Sequence, residues 1–359
     1  MKKIQITPAW SFADEAGNRL DPQLFGLLHA VHQSGKLTVA SAEAGISYRH
    51  AWNLLNKWAD FFGVPLVDMQ KGRGAHLSPL GEKLLWAEQR VAARLGPQLE
   101  SLGSELNLEI QQLLEGVKPV LRMHASHGYA VALLPKFTTG FQLDLQYCSP
   151  QEALAALNRG ACDVAGFHMP TAAISGPLMK TYRRQLKPRS HRIIRFITRC
   201  QGLMVKPDNP REIGGLADLV RKDVNFINRQ KDSGTRALLD SLLRDAGLSV
   251  RKIRGYELEE YTHSAVAAYI AAGMADVGFG VEAAARQFGL GFVPLATEHY
   301  LMVCHRQSLN DPKVQRLIEM IESEPFREAV SRLPGYSPSH CGQVCGVDEL
   351  FGDGADVES

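Results

Sequence analysis

The chain has 359 residues, with 40 Lys and Arg against 38 Asp and Glu for a formal net charge of +2, and 45% hydrophobic content. That length admits two or three domains, each with enough apolar mass for a core, and the near-neutral balance is by itself too weak to prove nucleic-acid binding. No stretch approaches the ~20 apolar residues of a membrane span, MKKIQITPAW lacks the apolar run of a signal peptide, and six scattered cysteines suit a reducing cytosol; a cytoplasmic protein without membrane contact is expected.

Residues 4–20 read as a hairpin around a polar turn at Asp14–Asn18. Asp21-Pro22 then opens a helix whose buried stripe is Leu24, Leu27, Leu28 and Val31, and Gly35 ends it. The segment LTVASAEAGISYRHAWNLLNKW, residues 37–58, has the form of a helix-turn-helix. Thr38 is expected to cap a short helix with small inward positions at Ala40, Ser41 and Ala44. Gly45-Ile46 supplies a tight turn, and Ser47 caps a second helix. On that helix Ala51, Trp52, Leu55 and Trp58 are expected on one buried face. Tyr48, Arg49, His50, Asn53 and Lys57 project elsewhere, the side chains a recognition helix uses in a major groove.

Pro65–Gln70, the loop Lys71-Gly72-Arg73-Gly74 and Ala75-His76-Leu77 read as strand, glycine-rich turn and return strand, a wing placing Lys71, Arg73 and His76 near phosphates or a minor groove. Arg49, Lys57, Lys71 and Arg73 outnumber Asp60 and Asp68 here, an excess that pairing of two chains would double. Arg49, His50 and Asn53 are expected at base edges, and Ser47, Tyr48, Lys57, Lys71 and Arg73 at phosphates or grooves.

Ser78-Pro79 has the form of a helix N-cap with proline at the first position. The helix that follows carries Leu80, Leu84, Val91, Leu95, Leu99, Leu102, Leu106, Ile110 and Leu113, several at gaps of three or four, a seam suited to a second copy of itself. Gly96-Pro97 is expected to kink or split it. From Val120 short apolar strands alternate with helices, the mark of α/β architecture. Gly160–Phe167 and Gly273–Phe279 repeat one pattern, a glycine stop followed by a buried strand, so two similar lobes with parallel sheets are expected. The acid-free stretch Lys180–Arg199 lies between them, and either a solvated connection or a source of positive potential around a ligand cleft is expected of it; Phe351–Ser359 is expected as disordered.

Ligands of doubly wound sheets sit beyond strand ends near helix N-termini. Three junctions qualify: Ser126-His127-Gly128-Tyr129; Cys148-Ser149-Pro150; and Arg229-Gln230-Lys231-Asp232-Ser233-Gly234-Thr235-Arg236. The third offers backbone N–H groups and hydroxyls flanked by Arg229 and Arg236, an anion site; the same residues would also serve as plain helix caps. Thr262 and His263 on the next helix start and His168 at the end of the first repeated strand are expected to complete the pocket. No HExxH, GxSxG or Walker loop is present, and His340-Cys341 with Cys345 matches no zinc spacing, so neither catalysis nor a metal is expected.

From Ser41 through Leu55 the sequence resembles the LysR-type transcriptional regulators. It is more similar still to the N-terminal domain of molybdate-responsive repressors, on Ser47-Tyr48, Ala51-Trp52, Pro65-Leu66-Val67, the glycine-rich wing and Leu77-Ser78-Pro79-Leu80-Gly81. The remainder resembles the periplasmic-binding-protein superfamily domain fused to such DNA-binding domains, on Phe226–Gln230, Ser233–Arg236 and Asp276–Gly280. Similar S-G-T segments occur in tungstate- and molybdate-binding proteins, and relatives of the fusion are linked with molybdenum enzymes or cofactor. The chain departs from the repressors in lacking their small oxyanion-binding domains.

The resemblance implies an α/β protein with a winged helix-turn-helix over residues 1–81, a linker and dimerisation helix over 82–116, a two-lobed effector domain over 117–345 and a disordered tail over 346–359. It further implies a regulator that binds double-stranded promoter DNA and a small anionic effector without other cofactor. A homodimer through the linker helix or a homotetramer, and RNA polymerase as a further partner, follow from the same likeness. The competing expectation is an oxyanion storage or delivery protein without regulatory DNA binding.

Overall fold

The computed structural model describes residues 4–13, 19–20, 23–70, 74–115, 118–171 and 177–352. They form two compact units, Thr7–Leu95 and Gly96–Ser359 with Met1–Ile6. Ile4 belongs to the second unit, not to the N-terminal hairpin: its N–H donates to Asn107 Oδ1 at 2.6 Å and its carbonyl accepts from Asn107 Nδ2 at 2.7 Å.

In the first unit, β1 (Phe12–Ala13) and β2 (Arg19–Leu20) pair antiparallel as expected, while the turn between them and Asp21-Pro22 lie outside the described residues. Helix α1 (Leu24–Ser34) buries Leu24, Leu27, Leu28 and Val31 and ends at Gly35. Helix α2 (Leu37–Glu43) starts one residue before the predicted cap: Lys36 holds the N-cap position, and Thr38 is an exposed first-turn residue whose carbonyl accepts from Ser41 Oγ at 3.0 Å. Gly45 makes the turn at φ +69°, where a β-carbon would clash with the backbone.

Helix α3 (Tyr48–Phe62) is capped as predicted, Ser47 Oγ accepting from His50 N at 3.2 Å. Its buried face is Ala51, Leu54, Leu55 and Trp58. Trp52, expected among them, is 41% exposed. The spacing explains this: residues 51, 54, 55 and 58 follow i, i+3, i+4, i+7, whereas Trp52 sits about 100° round the helix from Ala51. Trp58 anchors the core instead, edge-on to Phe12 at 4.9 Å and stacked on Phe62 at 5.6 Å. The wing is present as β3 (Val67–Gln70) and β4 (Gly74–Leu77), antiparallel with Val67 opposite Leu77, and His76 is exposed on the return strand. Lys71 and Arg73 lie outside the described residues.

Ser78 Oγ accepts from Gly81 N at 3.2 Å and opens α4 (Pro79–Glu115), a 37-residue helix. It runs on through Pro97 rather than splitting there, since proline deletes only its own backbone donor and the neighbouring turns keep theirs. Leu95, Leu102, Leu106, Ile110 and Leu113 stay exposed along it.

The second unit is built on a ten-stranded sheet. Its strands are β5 (Val120–Ala125), β6 (Gln142–Tyr147), β7 (Val164–Pro170), β8 (His191–Val205), β9 (Phe226–Arg229), β10 (Glu259–Glu260), β11 (Val277–Val281), β12 (Gly291–His305), β13 (Tyr336–Ser337) and β14 (Val344–Gly346). Eight follow the order β10-β9-β11-β8-β12-β7-β5-β6, and β13 and β14 pair with β8 off that path. The helices between them are α5 (Leu134–Phe137), α6 (Pro150–Asn158), α7 (Pro177–Gln185), α8 (Gly234–Asp245), α9 (His263–Ala271), α10 (Glu282–Gln287), α11 (Pro312–Glu322), α12 (Glu324–Ser331) and α13 (Glu349–Gly352).

The two expected lobes are the two ends of this sheet. In one, β5 pairs in parallel with β6 and β7; in the other, β9 pairs in parallel with β10 and β11. The 15-residue strands β8 and β12 run antiparallel through both, with register shifts between Pro294 and Ala296 and between Tyr300 and Leu301. The basic stretch Lys180–Arg199 is therefore no solvated connection. It supplies the end of α7 and the first half of β8, and buries Tyr182, Ile193, Ile194, Phe196 and Ile197. Its basic residues interleave with apolar ones along a strand, so a charge count hides a core pattern. Residues 346–352, expected in a disordered tail, are ordered: Gly346 pairs with Arg192, Val347 is buried and α13 extends to Gly352, while residues 353–359 lie outside the described residues.

Edge strand β6 is covered by α4. Ser101 Oγ accepts from Tyr147 N at 3.0 Å, and Ser104 Oγ accepts from Leu145 N at 3.0 Å while donating to Leu143 O at 3.3 Å.

Candidate anion site between the lobes

The loop after β5 carries Ser126 and His127, β7 carries His168, and the opposite lobe brings Arg229 at the end of β9 with Thr235 and His263 in the first turns of α8 and α9. The structure gathers these residues. A β-carbon on Gly234 would lie 3.5 Å from His168 Cδ2, and Thr235 Oγ1 is 3.5 Å from His263 Nε2. Tyr129 of the first lobe also reaches across, hydrogen-bonded to Ser264 Oγ at 2.7 Å and donating to Gln287 Oε1 at 2.5 Å.

Between them lie two residues that sequence inspection missed. Arg199 on β8 and Glu298 on β12 are cross-strand partners, each 1% exposed. Arg199 Nε donates to Glu298 Oε1 at 2.5 Å, and Gln201 Nε2 donates to the same oxygen at 2.6 Å. Burial opposes the Arg199 charge, but the Glu298 carboxylate outweighs it and holds the guanidinium above its usual range. Arg199 Nη2 lies 3.3 Å from His168 Nε2. Because arginine only donates, that ring nitrogen accepts, which puts the ring proton of neutral His168 on Nδ1. Tyr300, whose hydroxyl donates to Ser126 O at 3.0 Å, packs edge-on to His168 at 4.4 Å. Gly166 opposite makes this possible, since a β-carbon there would come within 2.6 Å of the Tyr300 hydroxyl.

Every ionisable ring here is held neutral. His168 and His263 lie well below the ordinary histidine value, and His127 is drawn down to about 4, in each case by burial first and then by Arg199 and Arg229. Arg229 is itself drawn down to about 9, by burial and then by Arg199, against the pull of Asp232, Glu298 and Glu260. Its Nη2 donates to Tyr261 O at 2.9 Å. Among the described residues Ser126 Oγ and His263 Nδ1 are buried without a hydrogen-bond partner, while His168 Nδ1 lies 3.7 Å from Glu298 Oε1 and the Tyr336 hydroxyl is hydrogen-bonded to the Arg199 guanidinium. A buried pair of guanidiniums with unsatisfied donors around it is suited to an anion, which would satisfy those donors and relieve the mutual repulsion.

Other predicted site residues have partners within their own lobe. Ser149 completes a capping box with Glu152, accepting from its N–H at 3.3 Å and donating to its Oε2 at 2.8 Å. Ser233 accepts from Arg236 N at 3.1 Å and Thr262 from Ala265 N at 3.0 Å, so both cap the helices whose first turns face the cleft. Arg236 is engaged within its own lobe: Nη1 donates to Arg229 O at 3.0 Å, Nε lies 3.3 Å from Asp240 Oδ1, and its guanidinium stacks 4.0 Å from the Tyr256 ring. Among the described residues no three His, Cys, Asp or Glu could share a metal, and all six cysteines are free thiols. No helix of the described residues is long and apolar enough to cross a membrane.

On the first unit, the outward face of α3 carries Tyr48, Arg49, His50, Asn53 and Lys57 as expected, all exposed. Trp52 and Asn56 join them, both missed in the sequence.

The chain is 32% identical over 202 residues to an uncharacterized Bacillus subtilis protein, YvgK, spanning 55% of this chain and 64% of that one. It is 31% identical over 121 residues to the molybdenum-pterin-binding protein MopB of Rhodobacter capsulatus, spanning 33% of this chain and 44% of MopB. The chain thus spans less than two thirds of the length of either relative. A solved structure of a Corynebacterium glutamicum OxyR C206 mutant aligns over 86% of this chain and 93% of its own, at 16% identity and a TM-score of 0.42. Residues 132–322, just over half of the chain and including His168, Arg199, Arg229, His263 and Glu298, match the PBP superfamily domain. The chain belongs to that superfamily.

Proposed function

We propose that the protein is a ligand-responsive, DNA-binding transcriptional regulator whose two-lobed domain takes a small oxyanion. The observation that carries the effector half is the convergence of Arg199 and Arg229, both buried in one cleft with unsatisfied donors beside them. The winged helix-turn-helix with its outward Arg49, Asn53 and Lys57 supports the DNA half. The likeness to a protein named for binding molybdenum-pterin makes molybdate and tungstate the first anions to try. The exposed leucines of α4 suit a homodimer through that helix. The anion acts by preferring one arrangement of the lobes over another, and it shifts DNA affinity only to that extent.

The test is a thermal-shift panel of molybdate, tungstate, sulfate, phosphate and formate on the wild type and on Arg229→Ala. At 100 times its dissociation constant a ligand stabilises by about 2.7 kcal/mol. One anion is expected to raise the melting temperature of the wild type and leave the variant unmoved. A variant that responds equally removes Arg229 from the site. For the DNA half, Arg49→Ala is expected to weaken binding to a selected operator by about 10-fold or more while binding to unrelated duplex falls less, as for loss of one base contact. Equal losses on both duplexes in a mobility-shift titration would move Arg49 from base edges to phosphates.

A further inference from the structure

The outward face of α3 has three parts. At about 100° per residue, Arg49, Asn53 and Asn56 form its centre and Lys57 one flank. Tyr48 and Trp52, one turn apart, form the other flank, 48% and 41% exposed. Both rings are left in solvent on a helix that buries Trp58 completely. The flank lies beside polar and basic side chains, so its occupant must combine negative charge with a local apolar feature. Duplex DNA has that combination in the major groove, where the thymine C5-methyl is the apolar group among hydrogen-bonding edges.

We propose that Trp52, backed by Tyr48, reads the methyl group of thymine in the operator, while Arg49 and Asn53 read neighbouring polar edges. The inference rests on the DNA-binding half of the proposed function. It makes Trp52 a specificity-determining residue, with no share in neutralising phosphate.

The test uses the full-length protein to select duplexes from a random pool at low salt. The selected duplex is then resynthesised with deoxyuridine replacing each thymidine in turn. One or two positions are expected to bind about fourfold more weakly as uracil, the worth of one methyl withdrawn from water. Trp52→Ala and Trp52→Gln, exposed substitutions checked by circular dichroism, are expected to bind the thymine and uracil duplexes alike at those positions. Lys57→Ala is expected to weaken both and keep the fourfold ratio. Uracil tolerated at every position, or a ratio that survives both Trp52 variants, would overturn the proposal and leave the regulator reading standing. A pool that yields no duplex would overturn both.

Discussion

Glu298→Gln is expected to destabilise the two-lobed unit by about 3–5 kcal/mol, the cost of removing one partner of a buried ion pair. The carboxylate receives Arg199 Nε at 2.5 Å and Gln201 Nε2 at 2.6 Å, and neither donor is near water. Without the charge, Arg199 is left buried facing Arg229, the same repulsion that already draws Arg229 down. The measurement is denaturant unfolding followed through the lobed unit. A double variant, Arg199→Met with Glu298→Leu, is expected to recover most of the loss, because it removes the stranded charge along with the pair. A single-variant cost below about 1 kcal/mol, the range of exposed pairs, would show that water reaches this site. Adding the effector anion is expected to reduce the cost, since it would give Arg199 a replacement partner.

Acidification from pH 7 to pH 5 is expected to lower the melting temperature of the lobed unit steeply. His127 and His191 are held down to about 4, and His168 and His263 well below the ordinary value, all first by burial. The sign follows from proton counting. Unfolded histidines take up protons below about pH 6.5 while these folded ones do not, so the unfolded state binds more protons and stability is lost as the pH is lowered. In that window each such histidine contributes a slope of about 1.4 kcal/mol per pH unit. The loss is absent above about pH 6.5 and saturates only below the folded values. Scanning calorimetry at pH 7, 6 and 5 checks it, and a flat melting temperature would mean that these rings ionise freely in the fold. An anion bound between Arg199 and Arg229 is expected to soften the slope, because negative charge raises all three cleft histidines.

Much of the fold was legible because its signals are local. Gly35, Gly45, Ser47 and Ser78 punctuate the helices of the winged unit, and each turn or cap they imply is present. The repeated glycine-stop-and-strand pattern marked the two lobes. The two errors of burial have one physical root, which is that position relative to other elements decides burial. Trp52 looked like core because it is large and apolar, yet it falls outside the buried arc of α3. Lys180–Arg199 looked solvated because of its charge, yet the first half of β8 lies between β12 on one side and β13 and β14 on the other, and two in three of its residues are buried. That misreading also hid Arg199, and with it Glu298, because their pairing exists only in the register of β8 against β12. His127, His168, Arg229, Thr235 and His263, which the structure brings together, stood at strand ends and helix starts, the places where ligands of doubly wound sheets are expected. Arg236 stood there too, but Tyr256, Asp240 and Glu259 take up its charge.

The serine contacts on β6 have a consequence for solubility. A strand at the margin of a sheet offers unpaired N–H and C=O groups to any passing strand, the usual seed of edge-to-edge aggregation. Here Ser101 and Ser104 occupy the N–H of Tyr147 and Leu145 and the carbonyl of Leu143 with side-chain oxygens, which cannot propagate a ladder. At the opposite margin β10 is two residues long, too short to template a partner. The eight-strand path of the sheet is thereby guarded at both ends, one by hydroxyls and the other by brevity.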